Sequence, residues 1–282
     1  MNKDYNLSPE EKWEQATLAN DFIFYKVMRN HQEECKQLIE MLLGVKINKM
    51  EMHNEETIDL DHDKKGIRLD IFVKETNRMY DIELQVVDTK ELPKRARYYA
   101  GLMALDTLKD GEPYSRLRES HVIFICMTDI FKYGLPVYSF ENLCRENNEI
   151  KLNDQDYKHF FIAPICAKII KDSELRAFFE LLVSNKSSND YTSNLKSYVE
   201  DAKHNFQWRF QYMTYLRQRN YDIETGREEG REEGRREGRS EAIIETAENM
   251  LNKKYPLEDI AEITGLSLEK IQELASQMTQ EA

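Results

Sequence analysis

The amino-acid sequence predicts an α/β fold: a mixed β-sheet flanked by helices, followed by a C-terminal helical extension. Three observations carry this. Residues 66–87, GIRLDIFVKETNRMYDIELQVV, alternate apolar and polar side chains on both sides of a polar break at Glu75–Arg78. That is the period of strands with one apolar face each, and the break reads as a hairpin. His121–Cys126, HVIFIC, is a nearly continuous apolar run, as expected of a strand buried on both faces. Helix-period segments surround them in the order helix, strand, hairpin, helix, buried strand, the grammar of an α/β domain with a mixed sheet.

Along the chain, Ser8-Pro9-Glu10-Glu11 is a helix start, with Ser as N-cap, Pro in the first position and Glu at N3. Residues 17–43 read as a helix anchored by Phe22, Val27, Leu38, Met41 and Leu42, with Gly44 as its C-cap. Val45 and Ile47 suggest a strand within 45–60. After the hairpin, Pro93 opens a helix over about 94–108 whose apolar stripe is Tyr98, Leu102, Leu105 and Leu108. Residues 137–165 read as an extended β appendage. Residues 173–183 and about 191–218 read as helices, the second rich in aromatic residues that suit a packed layer better than a base-stacking surface.

From Gly226 the chain changes character. GREEGREEGRREGRS places Gly at 226, 230, 234 and 238. Glu-to-Arg pairs three and four residues apart support a helix, while each Gly opposes it by about 1 kcal/mol relative to Ala. The repeat reads as a charged connector helix whose glycine stripe allows another helix to approach, or else as a semi-flexible linker. Residues 257–278, LEDIAEITGLSLEKIQELASQM, have helix-turn-helix grammar, with Ala261 for close crossing and Gly265 for the turn. Residues 226–282 hold eight Lys/Arg against fourteen Asp/Glu. That balance suits a packing or oligomerisation module better than a DNA-reading one.

Composition sets limits. The 282 residues carry a net charge of −12, so no overall field draws in nucleic acid, and any DNA-facing surface is a local patch. One such patch lies in residues 90–118, which hold seven Lys/Arg against four Asp/Glu, a net of +3. Cys35, Cys126, Cys144 and Cys166 show no CxxC spacing and suit free thiols in a reducing cytosol. The N-terminal residues have no apolar signal region, and the longest apolar run is far too short to span a bilayer, so the expectation is a cytoplasmic protein with no membrane partner.

The hairpin carries the candidate chemistry. A two-residue loop at Thr76–Asn77 makes paired residue numbers sum to 153 and sets Asp70 opposite Glu83. A loop at Asn77–Arg78 makes the sum 155 and sets Asp70 opposite Gln85. Either way Asp70, Glu83 and Gln85 share one face. Directly opposed side chains have Cβ atoms about 5 Å apart, and like charges there are destabilising unless a cation or a shared proton relieves them. Oxygen donors at this density suit a hard divalent ion such as Mg²⁺. A hairpin with a solvated charged face would show the same pattern.

The motifs in their order resemble the Rpn family of recombination-promoting nucleases and transposases, in the PD-(D/E)XK nuclease superfamily. The residues that carry the resemblance are Asn20-Asp21-Phe22 with Tyr25-Lys26, Leu69-Asp70 with Ile82-Glu83-Leu84-Gln85, the segment 92–117, HVIFICMTDIF at 121–131, YSFENLC at 138–144, and the Gly-Arg-Glu repeat with the terminal module. The resemblance implies a restriction-endonuclease-like core of order αβββαβ and Mg²⁺-dependent cleavage of double-stranded DNA, with Mn²⁺ as an alternative ion. It places a metal-binding pair on Asp70 and Glu83 and a water-orienting role on Gln85. The superfamily usually has Lys at that last position. Arg95, flanked by Lys94 and Arg97, is the candidate phosphate contact, and Asp21 is either an accessory acid or a helix cap.

On this reading residues 1–165 form the nuclease-like core with its β appendage, 166–225 a helical layer, 226–250 the connector and 251–282 the small module, through which the chain could form a homo-oligomer. The expected activity is metal-dependent DNA endonuclease, linked to recombination or mobile elements. The competing reading is a DNA- or protein-binding module built on a decayed nuclease core.

Overall fold

The computed structural model describes residues 7–52, 57–58, 67–68, 71–87, 89–108 and 111–280. The chain divides into two compact units, Met1–Met213 and Thr214–Ala282.

The first unit opens with α1 (Pro9–Glu14), α2 (Asp21–Asn30) and α3 (Gln32–Leu43). The expected capping box forms: Glu11 N donates to Ser8 Oγ at 3.1 Å, and Ser8 N donates to Glu11 Oε2 at 2.7 Å. The single helix expected over 17–43 is two. His31 leaves the helical conformation at φ −125°, ψ 79°, and its ring stacks on Tyr198 with centroids 3.5 Å apart. No Gly or Pro marks that break, because a tertiary contact makes it. Gly44, at φ 65°, is the C-cap that the sequence suggests.

The strands follow as β1 (Glu51–Met52), β2 (Thr57–Ile58), β3 (Ile67–Arg68), β4 (Ile71–Lys74) and β5 (Arg78–Gln85). Helix α4 (Leu92–Thr107) and a 3-10 turn at Tyr114–Arg116 lead to β6 (Glu119–Cys126), β7 (Val137–Phe140) and β8 (Asp156–Ile162). Six strands form one mixed sheet in the order β1-β4-β5-β6-β8-β7, while β2 and β3 pair separately. The crossover through α4 makes β5 and β6 parallel, and β8 joins β6 in parallel on its other side. The fold is restriction-endonuclease-like, with helices on both faces of the sheet.

The hairpin forms with Ile71 opposite Ile82 and Lys74 opposite Met79, the sum of 153. Its first strand is shorter than the alternation suggests, because Ile67–Arg68 pairs with Thr57–Ile58 instead. Residues 137–165 are no appendage. They supply the edge strand β7 and the interior strand β8 of the main sheet. The apolar run of β6 is central and buried, as expected.

Helix α4 covers the face of the sheet that bears Phe72, Met79, Val122, Phe124, Cys126 and Phe160. It does so with Leu92, Ala96, Tyr99, Ala100 and Met103. The apolar stripe read from sequence is displaced: Tyr98 is 42% and Leu105 61% exposed. Two alanines at the contact let the helix sit close to the sheet, and a stripe chosen by the largest apolar side chains misses them. Helix α2 packs on β4 and β5 from the other side.

Helices α5 (Ala163–Ile169), α6 (Ser173–Ser184) and α7 (Asp190–His204) complete this unit with the first turns of α8 (Phe206–Asn252). The helix expected over 191–218 breaks between α7 and α8 at Asn205. Tyr212 is buried against Trp13 and Phe22, whereas Phe206 and Phe210 face solvent, so only part of the aromatic stripe is packed.

In the second unit, the Gly-Arg-Glu repeat is helical within α8. A Cβ built on Gly226, Gly230, Gly234 or Gly238 meets no atom within 4 Å. The end of α8 joins α9 (Leu257–Thr264) and α10 (Leu268–Gln280) around a small core of Ala247, Ile260, Ile271 and Leu274. Gly265 makes the turn between α9 and α10 at φ 73°. Among the described residues, no helix is long and apolar enough to cross a membrane.

Candidate active site

Odd-numbered residues of β5 face α4, so Met79, Asp81, Glu83 and Gln85 lie beneath that helix. The polar face is therefore not solvated: Asp81 is 0% and Glu83 3% exposed. A carboxylate this deep needs a cation or several hydrogen bonds.

Helix α4 supplies the cation. Arg95 stands in its first turn and reaches back over the end of β5. Its Nη2 donates to Glu83 Oε2 at 3.0 Å, and its Nη1 donates to Gln85 Oε1 at 2.9 Å. The same guanidinium donates from Nε and Nη2 to the Tyr99 hydroxyl oxygen at 3.2 and 2.8 Å. Its Cζ lies 5.4 Å from the Tyr99 ring centroid and 5.6 Å from that of Phe124, so the planar cation is bracketed by aromatic faces. Burial, then the negative charges of Glu83 and Asp81, push the Tyr99 hydroxyl well above its ordinary value, so it stays neutral. Gln85 is further fixed by Nε2, which donates to the Val87 carbonyl.

The structure thus brings Glu83, Gln85 and Arg95 together. Arg95 is not turned to solvent as a bare phosphate contact, because its fork is engaged on Glu83 and Gln85. Lys94 and Arg97 beside it are exposed. Asp70 lies outside the described residues. Asp21 occupies the first turn of α2, where its Oδ1 accepts from Phe22 N at 2.8 Å, and the N-cap is Asn20, whose Oδ1 accepts from Ile23 N at 3.1 Å.

Two members of the site escape a motif-led reading. Asp81 shares the face of Glu83 by the period of two, and Tyr99 lies one helical turn beyond Arg95. Strand parity and the four-residue helix spacing point to both.

Among the described residues, no three His, Cys, Asp or Glu side chains come together in a metal-ligand arrangement. The Glu83 carboxylate and the Gln85 amide oxygen are nevertheless hard donors converging on one cation, here a guanidinium. That donor chemistry fits Mg²⁺ or Mn²⁺.

A second polar system lies at the opposite end of the sheet. His121 Nε2 is 2.8 Å from Glu119 Oε1, His121 Nδ1 is 3.1 Å from His159 Nε2, and His159 Nδ1 is 3.0 Å from Ser139 Oγ. With both rings neutral, donation runs one way, from Ser139 through His159 and His121 to the Glu119 carboxylate. Burial lowers the pKa of His121. Burial and then the neighbouring His121 bring that of His159 down to about 4.

The model of a family described as PD-(D/E)XK nuclease family transposase matches residues 18–204, well over half of the chain. The match covers β5, α4 and every residue that meets at Glu83. No curated protein and no solved structure shows significant similarity to the chain.

Proposed function

Because the chain belongs to the PD-(D/E)XK nuclease family transposases, we propose that it is a metal-dependent DNA endonuclease whose chemistry is centred on Glu83. One observation carries this reading: the oxygens of Glu83 and Gln85 are already aimed at one shared cation, the Arg95 guanidinium. Buried carboxylates that serve only packing are rare, because each costs several kcal/mol to desolvate.

In this proposal Glu83 and Asp70 hold the ion, Mg²⁺ or Mn²⁺. A bound divalent ion supplies Lewis acidity toward the scissile phosphate of double-stranded DNA and lowers the pKa of water. Gln85 orients the attacking water through its amide. It carries no charge and takes no proton, so it cannot replace Lys as a charge. Arg95 brings that charge from α4 instead, and Tyr99 sets the plane of its fork. Lys94 and Arg97 are exposed on the same helix turns and suit the flanking phosphates. Wrapped around Glu83, Phe124 and Tyr99 keep the site poor in water, where charge–charge interactions are stronger.

Plasmid nicking in Mg²⁺ tests this with wild type, Asp70→Ala and Glu83→Gln. Wild type nicks and both variants lose the activity. Equal cleavage by all three removes the assignment.

The alternative, a binding protein on a decayed nuclease core, draws on the same ion pair, since Arg95 occupies Glu83 and the strand lacks its Lys. It predicts DNA binding without cleavage in any divalent metal, and no Glu83-dependent heat on titration with Mg²⁺ or Mn²⁺. A link to mobile elements or recombination extends the endonuclease reading, and the word transposase in the family description supports it.

A further inference from the structure

The basic patch of residues 90–118 splits in the fold. Lys94, Arg95 and Arg97 stay with Glu83. Arg116 and Arg118 lie at the far end of the sheet, beyond the C-terminal end of α4. From Arg78 to Glu83 is five strand steps, about 17 Å at 3.3–3.4 Å each. From Arg95 to Thr107 is twelve helical steps, about 18 Å at 1.5 Å each.

At this far end the loop after α3, the β4–β5 turn and the approach to β6 enclose a cleft of about 950 Å³. Five cations converge there from three segments: Lys46, Lys49, Arg78, Arg116 and Arg118. Three carboxylates, Glu75, Glu112 and Glu119, share the walls, so the described lining residues carry +2 in a chain of −12. A concave wall concentrates that field.

The cations are paired, but mostly in water: Lys46 donates to Glu40 at 3.2 Å with its own side chain 88% exposed, and Arg78 is shared among Tyr80, Glu119 and Glu75. The Arg78–Glu119 contact is 3.5 Å, and Lys49–Glu51 is 3.6 Å and solvent-exposed. The Arg116–Glu112 pair is close, at 2.6 Å, but the Arg116 side chain is largely in water, where such pairs are worth little. No ion pair joins Arg118 to another described residue. Neutral donors complete the lining at Asn48, Asn77 and Gln155. Among the described residues no aromatic ring lines the cleft, so they offer no platform on which to stack a base.

We propose that this cleft is a second anion site, separate from Glu83, for a compact free oligophosphate. Guanidinium forks match phosphate oxygens two at a time, and Lys adds point charges at variable reach. A short oligophosphate can thread between the three carboxylates to reach the cations. A DNA backbone, fixed in its phosphate spacing along a convex rod, runs across those carboxylates.

The test is calorimetry on the full chain in metal-free buffer, with sodium tripolyphosphate as probe and orthophosphate as the shorter comparison. The expected result is one saturable site for tripolyphosphate, with orthophosphate weaker. Arg118→Glu and Lys49→Glu, both at solvent-accessible positions, each weaken it by about tenfold or more, as reversing a charge against a polyanion requires. A short DNA duplex leaves tripolyphosphate bound. Absence of saturable heat, equal affinity in Arg118→Glu, or displacement by the duplex each overturns the proposal. Circular dichroism of each variant separates loss of the site from loss of the fold. An Arg118→Ala variant, which removes the charge without reversing it, gives an intermediate loss if the site is real. Because the titration contains no metal and no cleavable substrate, its outcome is independent of whether Glu83 supports catalysis.

Discussion

Replacing Arg95 by Met removes the cation from the candidate active site and keeps much of its aliphatic stem against Tyr99 and Phe124. The guanidinium makes four hydrogen bonds, to Glu83, to Gln85 and two to Tyr99. Removing one partner of a buried ion pair costs about 3–5 kcal/mol, because the other charge is left buried. The Arg95 side chain is 32% exposed against 4% for Glu83, so solvent screens one end of the pair. With that screening the loss is roughly 2–3 kcal/mol. For a unit of this size each kcal/mol moves the thermal midpoint by about 2–4 °C, so the midpoint falls by roughly 4–12 °C. The measurement is thermal unfolding of the full chain followed by circular dichroism, first with EDTA and then with Mg²⁺. A divalent ion at Glu83 restores the missing charge, so Mg²⁺ stabilises Arg95→Met more than wild type. A ligand at a hundred times its Kd contributes about 2.7 kcal/mol, enough to offset most of the loss. Adding Glu83→Gln removes the response. An Arg95→Met protein as stable as wild type in EDTA refutes the energetic argument, and equal Mg²⁺ responses in all three proteins refute the site.

Three further outcomes follow from the geometry. His159 has a pKa near 4 in the fold against 6.5 when free, so below pH 6.5 the unfolded chain takes up a proton that the folded chain does not. Stability from this group is complete above pH 6.5 and falls, by roughly 2–3 kcal/mol, as pH drops towards 4; urea midpoints at several pH values measure it, and His159→Asn with an unchanged acid slope contradicts the assignment. Tyr99→Phe keeps the ring and loses both hydrogen bonds from Arg95, at about 1 kcal/mol each; nicking activity falls while Tyr99→Phe remains folded, and full activity with normal stability removes Tyr99 from the site. Ile260→Ala empties the small C-terminal core at a cost of about 2–5 kcal/mol, which unfolds that module first. If the module mediates association, light scattering on this variant and on a chain ended before Gly226 shows a smaller assembly than wild type, and an unchanged mass in the truncated chain dismisses that role.

What the sequence made legible were the features encoded by local period. The alternation of β5, the apolar run of β6, the capping box at Ser8 and the turn at Gly265 depend on neighbours in the chain, and all four form. The features that stayed hidden are those decided by distant contacts. His31 breaks a helix by stacking on Tyr198, more than 160 residues away. Ala96 and Ala100 place α4 on the sheet because of what lies beneath them, not because of their own hydrophobicity. Segment 137–165 reads as peripheral because β8 inserts beside β6 through a parallel pairing that no local signal announces. The candidate site divides along the same line. Strand parity puts Glu83 and Gln85 on one face, but that α4 covers this face, and that Arg95 turns inward while Lys94 and Arg97 turn outward, depends on the docking of the helix.

The neutral Gln85 stands where a Lys would bring a positive charge to the reacting phosphate of the proposed mechanism. The geometry gives that departure a physical counterpart. Arg95 Nη1 is 2.9 Å from Gln85 Oε1, while the same guanidinium holds Glu83. A Lys on the strand and an Arg on the helix would crowd two like charges into one half-buried space, with a repulsion of up to about 4 kcal/mol at 4 Å and an effective dielectric of 20. In the proposed site the one cation comes from the helix. The positions are therefore coupled: a Lys at 85 is tolerated only if Arg95 becomes neutral. Gln85→Lys alone destabilises the protein, Arg95→Met alone strands Glu83, and the double variant recovers stability that neither single change predicts. A double-mutant cycle in thermal unfolding reads this directly. Additive losses would mean that the two positions do not share one charge, and the argument that Arg95 replaces the missing Lys would fall with them.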